Sequence, residues 1–153
     1  MSTETTTPDA TLPEGTVPEP TADAEAPAAP EKTFADFGIR AEITEALAEA
    51  GITHPFPIQA LTLPVALQRH DIIGQAKTGT GKTLGFGLPL LEHVVAPGEP
   101  GADELEAPGK PQALVVAPTR ELAVQVAGDL EVASRKRKVR VLQVYGGRAY
   151  EPQ

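Results

Sequence analysis

The sequence predicts an α/β fold in which a parallel sheet is flanked by helices, and three features support this prediction. Apolar runs of strand length alternate with helical patterns in the order strand, helix, strand, helix, strand. A glycine-rich loop connects the first strand to its helix. The composition also changes abruptly at Thr33, which predicts a disordered tail over residues 1–32 and a folded region over residues 33–153.

The tail is rich in Thr, Pro, Ala and Glu, and it has too few large apolar side chains to offset the entropy of ordering. Seven acidic residues and one lysine give it −6 of the formal charge of −8, so the rest of the chain is nearly neutral. This balance argues against a generally basic nucleic-acid-binding domain. A solvated tail is the favoured interpretation, and an arm that binds a protein partner is the alternative.

The length of 153 residues suits one domain and is too short for two of ordinary size. The chain has no cysteine, and its three histidines lack the spacing of metal ligands. No apolar run reaches the roughly 18 residues that a membrane span needs, and a signal peptide is not recognisable. We therefore expect a cytoplasmic protein without membrane contacts.

Two helices are predicted before the glycine-rich loop. Residues 39–50 carry apolar side chains at helical spacing, and Gly51 stands where a helix C-terminus favours glycine. The proline-containing segment 53–57 predicts a stiff turn, because each proline fixes its own φ and restricts the residue before it. Residues 58–67 then predict a short helix, distorted near its middle by Pro64.

The glycine-rich loop lies within residues 71–83 and is predicted to hold phosphates. Ile72 and Ile73 supply the strand, and a helix predicted from Leu84 to Val95 would direct its N-terminal amides at the loop. The pattern is G-x-x-x-x-G-K-[ST], except that Ala76 replaces the first glycine.

Each position of this loop has a predicted role. Gly79 and Gly81 would let the backbone approach a ligand, and Thr78 and Thr80 would contribute backbone amides. Lys82 would reach the β- and γ-phosphates, and the hydroxyl of Thr83 would ligate Mg²⁺. The alternative is an ordinary glycine turn with an exposed lysine.

The second half of the chain supplies the remaining elements. Residues 96–111 lack periodicity and predict a surface loop. Within it, Ala102-Asp-Glu-Leu105 superficially resembles an acidic metal motif but is interpreted as a solvated linker, because no buried strand precedes it. Residues 112–117 predict a buried strand, and Thr119 predicts the N-cap of a helix with an apolar face. Residues 139–145 predict a third strand that ends at two glycines.

Three separated motifs resemble those of DEAD-box ATP-dependent RNA helicases. Residues 51–59 resemble the Q motif of that family, residues 76–83 its motif I, and residues 118–123 its motif Ia, while Gly146-Gly147 resembles its GG element. The resemblance implies a partial RecA-like domain over residues 33–153, with ATP and Mg²⁺ as cofactors and RNA as a partner.

The resemblance implies that Gln59 and Phe34 bind the adenine of ATP. The Gln59 carboxamide both donates and accepts, so it can pair with N6 and N7 of adenine, which would favour ATP over GTP. By family position, Phe34 would stack on the same base. The alternatives are an exposed helix amide for Gln59 and a core anchor for Phe34.

For RNA, the resemblance points to Pro118, Thr119, Arg120, Gly146 and Gly147. A hydroxyl, a guanidinium and a helix N-terminus all suit phosphate contacts, which carry little sequence preference. Alternatively, Thr119 only caps its helix, Arg120 is a solvated charge and the glycines end a strand. The basic run 135–140 is interpreted as a solvated turn, with an extension of the RNA-binding track as the alternative.

Two residues depart from the family pattern: Ile52 replaces an aromatic residue, and Phe56 replaces a small hydroxyl residue. The Asp-Glu-Ala-Asp motif that supports hydrolysis does not occur in these 153 residues. We therefore expect an N-terminal fragment that is inactive in hydrolysis when isolated. The alternatives are a P-loop kinase or ATPase of another family, and a non-catalytic nucleotide- or RNA-binding module.

Overall fold

The computed structural model describes residues 32–147, 149, 151 and 153. In this part of the chain four α-helices form, namely α1 (Ala41–Glu49), α2 (Pro57–Ala66), α3 (Lys82–His93) and α4 (Arg120–Ser134). Two short 3₁₀ helices, Phe34–Phe37 and Ala102–Glu104, precede α1 and α4. The predicted disordered tail falls on residues outside the described part, except for Lys32, so its disorder and its protein partner stay predictions.

Local sequence signals account for the helix ends. Gly51 has φ 79°, a left-handed conformation that closes the C-terminus of α1 as predicted. Pro57 is the first residue of α2, where its missing N–H costs nothing. The Thr119 hydroxyl accepts a hydrogen bond from the Leu122 N–H at 3.2 Å, which confirms it as the N-cap of α4. Helix α3 begins at Lys82, two residues before the predicted start.

The core forms around α3, which packs against α2 on one side and α4 on the other, while α4 also contacts α1. Leu84, Leu88 and Leu91 of α3 join Leu47 of α1 and Leu130 of α4 in one apolar cluster. Gly87 allows a close approach there, since a Cβ at this position would lie 2.6 Å from a terminal methyl of Leu130. The N-terminus of α3 is thus fixed by helices on two sides.

The predicted parallel sheet is not confirmed. Within residues 32–147 no strand forms, and no backbone hydrogen bond joins the segments 71–77, 113–117 and 139–145 to one another. Apolar side chains in these segments stay exposed, including Ile73, Leu114, Val116, Leu142 and Val144. A parallel strand is stable when neighbours pair with both of its edges and helices cover both faces, and these segments lack such neighbours here.

The basic run 135–140 begins with a turn at residues 135–138, as interpreted, but two of its charges are paired within the structure. The Lys136 ammonium lies 3.0 Å from Glu45 and 2.7 Å from Glu49, both on α1. Arg137 is buried, and its guanidinium donates to the carbonyl oxygens of Leu91 and Val94 at the end of α3. Lys136 and Arg137 therefore hold helices together, while Arg135, Lys138 and Arg140 are exposed.

Glu99 completes a charged cluster at the C-terminal end of α3. Its carboxylate accepts from Arg137 Nε at 2.7 Å and from Arg40 Nη1 at 3.4 Å, and Arg40 also pairs with Glu92 at 2.9 Å. Hydrogen bonding by Arg137 is the main cause that lowers the pKa of Glu99 from 4.5 to about 2. The cluster fastens the loop that begins at Ala96 against α3.

No helix in the described ranges is long and apolar enough to cross a membrane.

Replacing Glu99 with Gln should reduce the free energy of unfolding at pH 7 by about 1–3 kcal/mol, because Arg137 loses its carboxylate partner. A carboxyl whose pKa is lower in the folded state stabilises the fold above its unfolded pKa. That contribution should disappear as the pH falls from 4.5 toward 2. Urea denaturation between pH 7 and pH 3 measures the difference between wild type and variant.

Glu106→Gln is the matched control, because Glu106 is an exposed carboxylate in the same loop. It should change stability little at any pH. A difference between wild type and Glu99→Gln that stays constant from pH 7 to pH 3 would contradict the assigned pKa.

Candidate nucleotide and RNA site

The loop before α3 has a shape that suits an anion. Gly79 and Gly81 have φ of 81° and 74°, a left-handed conformation that favours glycine. Gly81 is the N-cap residue of α3, and no side chain caps this end of the helix. The first-turn amides of α3 are therefore available to a ligand, and the helix dipole favours negative charge at this end.

Lys82 spans this loop from the first turn of α3. Its Nζ donates to the carbonyl oxygens of Ala76 and Lys77, each at 2.6 Å. The Thr80 hydroxyl also donates to the Lys77 carbonyl, at 2.8 Å, while Thr78 is exposed. Lys82 is therefore partly buried and bonded within the loop, unlike a fully exposed lysine. An ammonium has three N–H groups, so Lys82 retains one for a phosphate while it holds the loop.

Gln59 is 1% exposed, so the interpretation as an exposed helix amide is wrong. Its Oε1 accepts from the Phe56 N–H at 2.9 Å, and its Nε2 donates to the Gly81 carbonyl at 2.7 Å. These two partners fix the orientation of the carboxamide, since an N–H must meet the oxygen and a carbonyl must meet the nitrogen. One N–H and one lone pair of the carboxamide remain for a further partner.

Phe56 packs beside the same glycine. A Cβ on Gly81 would lie 2.6 Å from the Phe56 ring and would overlap the amide nitrogen of Gln59. The Phe56 side chain is nevertheless about half exposed. It therefore forms the accessible border of the loop at a position where the resemblance expects a hydroxyl residue. Ile52, the other departure from the family pattern, packs against the core.

Phe34 is 2% exposed and belongs to the apolar core cluster, which agrees with its interpretation as a core anchor. Its stacking on adenine stays a prediction, and it would require the ring to become accessible. A shallow depression of about 400 Å³ lies instead beside the turn that precedes α2. Its lining residues are Lys32, Phe37, His54, Pro55, Pro57 and Ala60.

The metal prediction rests on Thr83. This residue is half-buried in the first turn of α3, directly after Lys82. No cluster of three His, Cys, Asp or Glu side chains able to hold a metal occurs in the described ranges. Mg²⁺ is commonly bound by one or two protein oxygens together with substrate phosphates and water. A single hydroxyl at a phosphate loop fits that mode of binding.

The residues predicted to contact RNA lie at the start of α4 and after residue 145. Pro118, Thr119 and Arg120 are exposed, as are Gly146 and Gly147. The Arg120 guanidinium carbon lies 4.8 Å from the centre of the Tyr145 ring. This contact connects motif Ia with the residue before the two glycines, and neither motif signals it in the sequence. The sequence reasoning also missed the bond between Gln59 and Gly81.

Comparison with known proteins identifies one family. Residues 56–153, more than half of the chain, match the family model described as DEAD/DEAH box helicase. The ATP-dependent RNA helicase RhlB of Shewanella sediminis is 46% identical over 120 residues, which cover 78% of this chain and 27% of that protein. RhlB of Shewanella amazonensis is 46% identical over 123 residues, which cover 80% and 27%. The chain thus spans about 27% of these relatives.

Solved structures agree with this comparison. The RNA helicase Prp28 from Chaetomium thermophilum bound to ADP has a TM-score of 0.66 and 32% identity, covering 91% of this chain and 30% of that one. Dbp5 of S. cerevisiae bound to RNA and ADP BeF3 has a TM-score of 0.58 and 30% identity, covering 71% and 26%. The coarse fold is therefore that of DEAD-box helicase domains, as the resemblance implied.

The Gly81→Ala substitution tests the packing of the phosphate loop, with Gly79→Ala as the matched control. Both glycines have positive φ, so each alanine should cost about 1–2 kcal/mol of stability. A Cβ at Gly79 meets nothing within 4 Å, whereas one at Gly81 displaces the Gln59 amide. We expect Gly81→Ala to cost about 1–3 kcal/mol more than Gly79→Ala in urea denaturation. Equal losses would contradict the described contact.

Proposed function

The chain belongs to the DEAD/DEAH box helicase family, and from this membership we propose that it binds ATP and RNA as part of an ATP-dependent RNA helicase that unwinds short RNA duplexes. The observation that carries the proposal is the 2.7 Å hydrogen bond from Gln59 to the Gly81 carbonyl. It joins the residue proposed to read the base to the loop proposed to hold the phosphates.

The phosphates of ATP would bind at the N-terminus of α3. Lys82 supplies a positive charge there, and the first-turn amides without a side-chain cap supply N–H donors. The Thr83 hydroxyl would be the protein ligand of Mg²⁺, which neutralises phosphate charge when it is bound. Ala76, Thr78, Gly79, Thr80 and Gly81 would complete the loop around the phosphates, chiefly through their backbone groups.

The base would be recognised by Gln59. Its second N–H and second lone pair suit N7 and N6 of adenine, while its first pair continues to hold Phe56 and Gly81. Because Gln59 is as buried as Phe34, this pairing would require the carboxamide to become accessible. Guanine presents an acceptor at the position of the adenine N6 amine, so it would face the same fixed carboxamide unfavourably.

RNA would bind along Pro118, Thr119, Arg120, Gly146 and Gly147. All five residues are exposed, and the four that are not proline carry backbone N–H groups, which favours contacts with phosphate and sugar, so little sequence preference is expected. These 153 residues lack the Asp-Glu-Ala-Asp motif of the family. We therefore propose that the isolated chain binds ATP without hydrolysing it.

Lys82→Ala should weaken the binding of a fluorescent ATP analogue at least tenfold, because it removes the charge at the phosphates and opens the loop that the ammonium bridges. Lys77→Ala is the matched control, since it removes an exposed lysine of the same loop whose carbonyl remains in place. Fluorescence titration in the presence of Mg²⁺ measures both. Equal affinity of Lys82→Ala and wild type would refute the phosphate site.

Base recognition can be tested by competition with unlabelled ATP and GTP. Wild type should prefer ATP by about 1–3 kcal/mol, the range for one good bidentate base contact. Gln59→Glu keeps an acceptor for the Phe56 N–H but removes the amide donor, so this preference should fall. Because that change also affects the bond to Gly81, the ATP-to-GTP ratio is the decisive quantity. Equal affinities in wild type would favour a P-loop protein of another family.

A further inference from the structure

Arg120 and Tyr145 form a contact between two segments that are far apart in the sequence. The guanidinium carbon lies 4.8 Å from the ring centre, within the range of an attractive cation–π interaction. Arg120 is exposed at the first position of α4, and in the described part of the chain it forms no ion pair and no side-chain hydrogen bond. The ring of Tyr145 is therefore the main described contact of this guanidinium.

This contact is not needed to hold the two segments in place. Helix α4 is anchored by Val126, Leu130 and Ala133 in the apolar core, and Val139 and Val141 pack against the same core from the other segment. The Tyr145 backbone N–H also donates to Gln153 Oε1 at 2.9 Å. Arg120 is exposed and both elements are anchored by other contacts, so we expect the stacking to act mainly on the orientation of Arg120.

Stacking on an aromatic ring can orient an arginine side chain so that it binds a phosphate more readily. An aromatic ring occupies one face of the planar guanidinium and leaves the N–H groups at its edge available for a bidentate hydrogen bond. It also reduces the number of rotamers that the free side chain populates, which lowers the entropy lost on binding. Tyr145 directly precedes Gly146 and Gly147, so the same ring lies beside both segments of the proposed RNA track.

We infer that Tyr145 is a positioning residue for RNA binding, which holds the Arg120 guanidinium against its ring so that its N–H edge meets an RNA phosphate. The inference rests on the proposed function, because it presupposes that this surface binds RNA. It assigns Tyr145 no contact with a base, and it predicts that Tyr145 acts only through Arg120.

A double-mutant cycle tests this inference. The 153-residue chain is titrated with a fluorescent single-stranded RNA at several salt concentrations. Four versions are compared: wild type, Tyr145→Leu, Arg120→Ala and the double variant. Tyr145→Leu should weaken binding about two- to fivefold, the value of an exposed cation–π contact. Tyr145→Phe keeps the ring and should bind within twofold of wild type.

The decisive comparison is made in the Arg120→Ala background. There Tyr145→Leu should have no further effect, because the group that it positions is gone. Arg120→Ala should also lower the dependence of log K on log salt by about 0.7, the value of one phosphate contact to single-stranded RNA, while Tyr145→Leu should change that slope less. Lys110→Ala, which removes an exposed charge from the loop before residue 112, is the charge control.

The outcomes separate the inference from the proposed function. If wild type binds no RNA, the proposed function fails. If wild type binds and the two substitutions are additive, the inference alone fails, and Tyr145 contacts RNA directly, for example by stacking on a base. If Tyr145→Phe binds as weakly as Tyr145→Leu, the hydroxyl and not the ring is responsible, which also overturns the inference. Thermal melting and ATP binding of each variant show whether the fold is intact.

Discussion

The buried carboxamide of Gln59 is the interaction on which the proposed nucleotide site depends. It satisfies the backbone N–H of Phe56 at the start of α2 and the carbonyl of Gly81 at the start of α3. Loss of either bond would leave a polar group without its partner, at a cost of about 1–3 kcal/mol. One planar amide therefore bonds the N-terminus of α2 to the glycine-rich loop at the N-terminus of α3.

Helix α3 extends this connection through the molecule. Its N-terminus, with Gly81 and Lys82, is the predicted phosphate end, while its C-terminal carbonyls at Leu91 and Val94 accept from Arg137. Positive charge at a helix C-terminus and negative charge at its N-terminus both complement the helix dipole. The buried arginine therefore stabilises the helix at one end and leaves the other end available for an anion. The charged cluster around Glu99 thus lies at the end of α3 opposite the proposed phosphate site.

The sequence predicted the features that depend on neighbouring residues. Helical spacing, Gly51 and the Thr119 cap located α1 and α4, because these signals act within one turn of helix. The burial of Gln59 and the pairing of Arg137 with Glu99, which is 38 positions away, depend on tertiary packing. A basic run has the same composition whether it is solvated or paired. Strand pairing is also a non-local property, and the apolar runs alone did not establish it.

The two halves of the proposed site are supported differently. Lys82 and Gln59 are fixed by α2 and α3, whose contact surface is buried in the described structure. Arg120 and Tyr145 lie beside segments 113–117 and 139–145, whose apolar side chains remain largely exposed and whose backbones pair with no strand there. No hydrogen bonds of a β-ladder therefore stabilise the backbone conformation of those two segments. The side chains of Lys82 and Gln59 are therefore held by hydrogen bonds to backbone groups of the glycine-rich loop, whereas the Arg120 guanidinium is oriented by its contact with the Tyr145 ring.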